Sequence, residues 1–521
     1  MDVGIKTLRT IRYLKFRQIL WRLIYFFRRG IGPSAKRLSG LNLNIPRVNF
    51  FPDVPRQLES GTLRFTIHHQ SVDFGHEMNW SDQQHGRLWN YHLQYLDFLL
   101  DENLSVAERQ ALLDDISIWI RSGRLELEPY PVSLRIVNTL LFAIKYPDHF
   151  TAVAKKILLD QTGYLLDHPE YHIDGNHLIE NALALRMMAC CIEDQELSRR
   201  SSILLRECLN EQILPDGTHV ERSLGYHAVL LQRMLILYEM MPETWEDRIA
   251  MSHAISAMSS CLNYYDHQLR FVPCFGDSIR SARGNYSGLI QQAEKLGIPV
   301  NECEPKDSGY RTLKNRHFEL MVNAGDIMPP WQPGHAHADM LSFEVAVNGI
   351  QFIADAGVST YKEGVQRNYE RSTAAHNTVS IGVHDQSEMW ASFRVARRAK
   401  CNIICSEAHQ LYASVRHYGT NQRTHKRKFI LDSDQCVIID EVTANKSMPR
   451  CASFHFHPQL RDVIGQLEDH TLQVGEVRIQ WDGATRVEFT EGTFALDFNK
   501  TVKSVCLRIW FEFELKTVFY V

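Results

Sequence analysis

No window of this chain approaches 18 uncharged apolar residues, so the sequence predicts no membrane-spanning helix. Glycine-rich phosphate cradles are missing too. Neither G-x-x-x-x-G-K-[ST] nor G-x-G-x-x-G occurs, and there is no G-x-S-x-G nucleophile elbow. The eleven cysteines include no C-x-x-C pair. Their odd number and scatter predict reduced thiols in a cytosolic compartment, serving as small buried hydrophobes. Charge of one sign is not in excess: the net charge is −4, which gives no bulk signal for nucleic acid. No fixed-period repeat is present, which counts against TPR or ankyrin arrays. What remains is an ordinary globular composition over 521 residues, long enough for two to four domains as a soft prior.

Acids are nearly absent from the first forty residues. Asp2 faces ten cations there: Lys6, Arg9, Arg12, Lys15, Arg17, Arg22, Arg28, Arg29, Lys36 and Arg37. Tyr13, Phe16, Leu20, Leu23, Ile24 and Phe27 fall at helical spacing, which predicts a basic amphipathic helix within residues 1–45. Arg22 interrupts the apolar run and no small-residue cleavage site follows, unlike a secretory signal. A mitochondrial transit peptide would be richer in serine. Two readings stay open: adhesion of residues 1–40 to an anionic membrane surface, or a helix packed on the body with its arginines in solvent.

From Gly86 to Gly297 apolar residues recur at i, i+3, i+4 and i+7 in nine segments. These are Tyr91–Leu100, Ala107–Ile120, Val132–Ile144, Ala152–Leu166, His177–Cys190, Leu197–Leu209, Tyr226–Met240, Trp245–Tyr264 and Tyr286–Leu296. Prolines and short links between them predict antiparallel helix hairpins wound into a toroid or an α-solenoid. After Tyr310 the period falls to two. Strands are predicted at 318–323, 341–347, 378–381, 428–431, 436–440, 453–457 and 477–481, with turns at Asn348-Gly349 and Asp482-Gly483. The chain thus reads as α+β in separate domains: 1–45, a helical 46–305 and an antiparallel β-sandwich over 306–521.

The densest chemistry is His335-Ala-His337-Ala-Asp339, then Asp355, then Ser372-Thr-Ala-Ala-His376-Asn-Thr378. If the first run is extended, His335, His337 and Asp339 share one face. Three such groups are costly to bury unless they bind something, such as a metal or an acidic substrate. His337, Asp355 and His376 form a set that suits Zn²⁺; a hydrogen-bonded core cluster is the alternative. In Gly175-Asn-His-Leu-Ile-Glu-Asn181, Asn176 is a helix N-cap candidate, and His177 and Glu180 share a face at i, i+3. Pro215–His227 reads as a polar loop delivering Tyr226 to a helix head, where a tyrosine beside histidine can exchange protons if cations lower its pKa; plain packing is the alternative. Pro273-Cys-Phe-Gly-Asp-Ser278 reads as a tight turn between helices, structural in preference to the alternative of lining the site's rim.

Together these segments resemble the heparinase II/III family of polysaccharide lyases, including its alginate-lyase relatives. The matching residues are Gly175–Leu183, Gly225-Tyr226-His227, Gly334–Asp339 continuing through Leu341–Val345, Asp355-Ala-Gly357 and Arg371–Thr378. The resemblance covers about residues 85 to 500 and implies an incomplete (α/α) toroid, an antiparallel β-sandwich, and a sugar cleft between them. It implies β-elimination at a uronic acid. Asn176 and His335 would bind the carboxylate, and Tyr226 would act as base, acid or both. His177 and Glu180 would orient Tyr226 or the sugar, and His335 is the alternative base for the opposite C5 epimer. Arg371, Tyr361 and Tyr369 are candidate cleft residues, and His337, Asp355 and His376 the ligands of a structural zinc. The chain departs from secreted members in lacking a signal peptide, in a short Asp355–His376 segment and in its basic N-terminus. These departures predict a bacterial cytosolic or inner-membrane-associated protein beside capsule or exopolysaccharide synthesis. A non-catalytic glycan-binding or assembly factor on the same scaffold is the competing reading. A metal-dependent hydrolase is a third, but its H-x-H would be followed by alternating strands and helices, and only strands follow.

Overall fold

Twelve α-helices and a set of antiparallel sheets account for the regular structure of a computed structural model that describes residues 2–28, 38, 40–280, 286–419 and 423–521. The N-terminal basic stretch forms two helices, α1 (Asp2–Ile11) and α2 (Phe16–Arg28), rather than one. Of its predicted cations, Arg29, Lys36 and Arg37 lie outside the described residues. A two-stranded hairpin, Arg64–Ile67 with Gln70–Asp73, follows. It packs beneath Trp80, Trp89 and Phe98 in a small apolar cluster of its own.

The helical layer comprises α3 (Arg87–Tyr95), α4 (Val106–Arg121), α5 (Pro129–Lys145), α6 (Ala152–Asp167), α7 (Gly175–Cys191), α8 (Gln195–Gln212), α9 (Leu224–Met240), α10 (Asp247–Gln268) and α11 (Tyr286–Lys295). The predicted segment Tyr91–Leu100 is broken. Leu96 adopts φ 62°, ψ 35°, so α3 stops there and a 3₁₀ turn, Asp97–Leu100, takes over. α4 starts on a capping box in which the Ser105 hydroxyl accepts from Glu108 N and the Glu108 carboxylate accepts from Ser105 N. α5 starts on Pro129, whose missing N–H costs nothing at that position. α5, α7 and α9 are buried over most of their length, and Leu140, Leu183, Met187, Leu231 and Met234 join one helical core.

The last of these helices ends at Lys295 and the next strand starts at Tyr310. Four antiparallel strands follow: Tyr310–Lys314, Phe318–Asn323, Phe343–Val347 and Ile350–Ile353. Asn348 and Gly349 close the last hairpin with φ 50° and 80°, the primed turn that matches strand twist. α12 (Val365–Glu370) interrupts the strands. The second sheet has ten strands. Its main path runs 400–407, 410–416, 424–431, 435–443, 500–520, 477–497, 471–474, 464–468, and Arg450–His455 bridges 500–520 to 379–381. Phe318, Phe343 and Phe352 from the small sheet interlock with Phe429, Phe454 and Phe519 from the large one, forming the sandwich core. The fold class is therefore a helical toroid layer followed by an antiparallel sandwich. Asp482-Gly483 is no turn. It is a bulge inside the long strand 477–497, where a Cβ at Gly483 would lie 2.3 Å from Glu514 O.

Candidate active site

The segment holding His335 is a loop between two sandwich strands, so the predicted strand alternation does not apply there. His335 and His337 still converge, because both reach Asp277. His335 Nδ1 lies 2.9 Å from Asp277 Oδ2, and His337 Nε2 lies 2.8 Å from Oδ1. Asp339 turns toward His376 and Asn323 instead. Asp277 comes from the turn read as structural in the sequence, between α10 and α11, and that turn proves to be part of the site. Gly276 takes φ 57°, and a Cβ there would lie 2.5 Å from His335 O, so the close approach requires glycine. Asp277 N also donates to His335 O at 3.0 Å. Arg367 of α12, fully buried, clamps the same carboxylate bidentately at 2.5 and 2.8 Å. Although burial opposes ionisation, Arg367 and the two imidazoles hold Asp277 well below the usual carboxylate range. Sequence reasoning missed both residues: Asp277 as a partner of the histidines, and Arg367 altogether. Only the three-dimensional fold brings them together.

α7 forms the facing wall. The expected N-cap, Asn176, is not the cap. Asp174 fills that position, its carboxylate accepting from Gly175 N at 2.9 Å. Asn176 is thereby released from capping, and its Oδ1 is buried without a partner. Gly175, at φ 59°, leaves no room for a Cβ, which would sit 2.1 Å from Glu221 Oε1. Through that gap Glu221 accepts from Asn176 N at 2.8 Å, while its Oε2 lies 3.7 Å from His335 Nε2. Glu221, also missed in the sequence, links the two walls. His177 stacks on Tyr130 at 4.1 Å and bonds Glu170 at 3.1 Å. Partial burial opposes its charge, but the Glu170 carboxylate outweighs burial and raises its pKa. Glu180 is buried with neither carboxylate oxygen hydrogen-bonded. Desolvation pushes its pKa up to about 7, with Arg233 and His177 pulling the other way.

Tyr226, in the first turn of α9, packs its ring 4.3 Å from His335, and its hydroxyl lies 3.2 Å from that of Tyr361. Burial keeps the Tyr226 phenol well protonated. The Tyr361 hydrogen bond and Arg367 pull its pKa down, while Asp277 and Glu221 push it up. Asn176, Glu221, His335, Tyr226 and Tyr361 thus form a continuous chain of contacts from the toroid to the sandwich.

Two expected cleft residues lie elsewhere. Arg371 is buried and donates from its two terminal nitrogens to the carbonyls of Ala391 and Ala336, bracing the histidine loop. Tyr369 lies against the long β-ribbon beside Cys506 and Arg508. The predicted zinc residues do come together. His376 Nδ1 lies 2.6 Å from Asp355 Oδ2, and the rings of His337 and His376 are 5.3 Å apart. Each imidazole has one nitrogen held by a carboxylate, while His337 Nδ1 and His376 Nε2 are buried and unpaired. Those two orphaned nitrogens fit a metal. Asp355, bonded to His376 and Gly357 N, is turned to orient rather than to join them. As they stand, no three His, Cys, Asp or Glu side chains among the described residues surround one ion.

Two family models match the chain: heparinase II/III N-terminus over residues 135–296 and heparinase II/III-like C-terminal over 304–515. This chain belongs to the heparinase II/III family. A heparin-sulfate lyase of Bacteroides thetaiotaomicron is 24% identical over 343 residues, 56% of this chain and 48% of the relative. The match therefore spans about half the length of that relative. Among solved structures, heparinase III superposes with a TM-score of 0.64 at 17% identity, covering 85% of this chain and 79% of that one. A heparan sulfate lyase mutant from Pedobacter heparinus gives 0.54 at 16%, covering 88% and 81%. These likenesses show a shared fold.

Proposed function

We propose that this heparinase II/III member is a polysaccharide lyase that cleaves a uronic-acid-containing, acidic glycan by β-elimination. The observation that carries the reading is the convergence of Tyr226, His335 and the Asn176 carboxamide, whose NH2 can donate to a carboxylate, between the two domains, with Tyr361 supplying a second hydroxyl. The uronate C5 proton is weakly acidic, so the carboxylate must be neutralised while the proton leaves. The Asn176 carboxamide and His335 do this, and a base takes the C5 proton. Its electrons form the C4–C5 double bond, the C4–O4 bond breaks, and an acid protonates O4. Tyr226, held as a phenol, suits the last step. Tyr226 as phenolate, or His335 steadied by Asp277, takes the C5 proton according to the epimer presented. Glu180 and His177 line the sugar from α7. The basic N-terminus and the family together support a role beside capsule or exopolysaccharide metabolism.

Incubation with a panel of uronate polysaccharides, followed by the ultraviolet absorbance of the new double bond, tests the reading. Turnover on one polymer, reduced at least ~100-fold in Tyr226→Phe with glycan binding retained, is the expected result. Binding without any unsaturated product would favour an assembly factor on the same scaffold. Saturated products would point to hydrolysis.

The two orphaned imidazole nitrogens support a structural Zn²⁺ held by His337 and His376, with Asp355 orienting His376 through its Nδ1. Elemental analysis of purified protein should find about one zinc per chain, and chelation should lower the unfolding temperature. Metal-free protein with unchanged stability would leave a hydrogen-bonded core cluster instead.

A further inference from the structure

The lyase chemistry leaves α1 and α2 without a role, and their packing is inverted relative to a usual surface helix. Several of their polar side chains, with Tyr13 and Trp21, face the protein. Arg9 pairs with Glu388, Lys15 with Asp174 and Glu211, and Arg17 with Glu207. Gln18 is fully buried and donates to the carbonyls of Ile173 and Trp331. Trp21 stacks on Tyr171 at 4.9 Å, Lys15 sits 3.9 Å over Trp331, and Arg398 covers Tyr13 at 3.8 Å. The pair is thus fastened to both the toroid and the sandwich, beside the turn that carries Asn176. Three of the cations predicted to face a membrane or the solvent are spent on acids of the body.

The apolar side chains point the other way. Of the 23 large hydrophobics exposed among the described residues, nine lie between Val3 and Phe27. Phe16, Leu20, Leu23 and Phe27 repeat at four, three and four residues, one stripe of a helix. Phe16 is 79% exposed, Phe27 75%, and Leu8 of α1 71%. A concentration of this kind on an anchored surface marks a binding face. Arg12, in the turn joining α1 to α2, and Arg22 of α2 are exposed, and among the described residues neither has a carboxylate partner. A second copy of this chain would bring two arginine-bearing faces together, whereas an anionic lipid surface complements the arginines and accepts the phenylalanines. We infer that the outward apolar face of α1 and α2 lies in the interface of an anionic bilayer, with Arg12 and Arg22 at headgroup level and the rest of the protein standing off that surface. The inference does not depend on the lyase reading.

Flotation of the full chain with vesicles of phosphatidylcholine alone, or of phosphatidylcholine with phosphatidylglycerol, tests it. The protein should float with the phosphatidylglycerol vesicles. The combined variant Leu8→Ser, Phe16→Ser, Leu23→Ser, Phe27→Ser should bind them more than ~10-fold more weakly, with an unchanged melting curve because these positions face solvent. Arg12→Ser with Arg22→Ser, which leaves the apolar stripe intact, should weaken binding ~5-fold or more and remove its salt sensitivity. Failure of the wild type to float, or flotation indifferent to the serine variant, overturns the inference. Equal binding to both vesicle types overturns its anionic half. A dimer that the serine variant converts to monomer, without vesicle binding, assigns the face to a second copy instead.

Discussion

The two walls of the site differ in how their polar atoms are spent. Around the histidine loop, Asp277 from the α10–α11 turn uses both oxygens on His335, His337 and Arg367, and Arg367 also donates from Nε and Nη2 to Ser392 O. On the toroid side, Asn176 Oδ1, both Glu180 oxygens and Glu221 Oε2 are buried without hydrogen bonds. Buried polar groups are normally paired, and each unpaired one costs about 1–3 kcal/mol. The Asp277 network thus holds His335 in place, while the α7 side keeps buried acceptors open to a polar ligand. Those vacant atoms are acceptors, and the hydroxyls of a carbohydrate can donate to them.

The sharpest way to break this contrast is to open the satisfied wall. Asp277→Ala leaves the Arg367 guanidinium buried at 0% exposure without its anion. It should cost about 3–5 kcal/mol of folding stability, read by denaturant unfolding. The same change frees His335 to rotate, so activity should fall even in molecules that remain folded. Asp277→Asn, which keeps the shape but neither the charge nor the second acceptor, should recover only part of the stability and none of the activity. A loss below about 1 kcal/mol in Asp277→Ala would mean that the carboxylate is not what holds this wall together.

The open wall should show itself through pH. Burial lifts the Glu180 carboxyl from its ordinary value of 4.5 to about 7. The folded state therefore binds this proton more tightly than the unfolded chain. Its stabilising effect is complete below the unfolded value, declines as pH rises from about 4.5 to about 7, and is gone above that. Glu180→Gln cannot ionise and should remove that part of the slope. The difference in stability between the two proteins should change by about 3 kcal/mol between pH 4.5 and pH 8. Parallel curves would show that Glu180 is ionised in the folded protein at both ends, with solvent or Arg233 satisfying it.

Much of this was legible before the fold was known. Helical periodicity located the toroid helices, and the switch to period two located the sandwich. The chemistry-bearing residues of α7, the Tyr226 helix and the histidine loop were all visible as clusters. What was hidden depends on groups far apart in the chain. Asp277, Glu221 and Arg367 are single charged residues in loops or a short helix, and nothing local marks them; Asp277 and Glu221 matter because they reach His335, and Arg367 because it clamps Asp277. Helix starts were legible only approximately, because Asp174 and Asn176 are both good caps and the strained φ of Asp174 and Gly175 decides between them. Arg371 misled for a related reason. An arginine beside a histidine motif looks like an anion binder, yet the irregular loop at 335–341 has carbonyls that need donors, and Arg371 supplies one to Ala336 O. The N-terminal pattern showed an amphipathic helix but not which face would be buried, since periodicity is blind to what lies beneath.

Tyr369 sharpens the comparison from the other direction, because it sits near the site in sequence and away from it in space. Three tyrosines were candidates for the cleft, and only Tyr226 and Tyr361 bring their hydroxyls together. Tyr369 stands apart from that pair, packed beside Cys506 and Arg508 of the ribbon, where burial raises its pKa to about 12. Tyr369→Phe keeps the ring that packs beside Cys506. It should therefore leave kcat/KM within about twofold and stability within about 1 kcal/mol, whereas Tyr361→Phe removes the hydrogen bond that orients Tyr226 and should slow turnover. Steady-state assays of the two variants side by side decide the matter. A large effect at Tyr369 would place the sugar on the ribbon side of α12 and move the cleft away from the α7 wall.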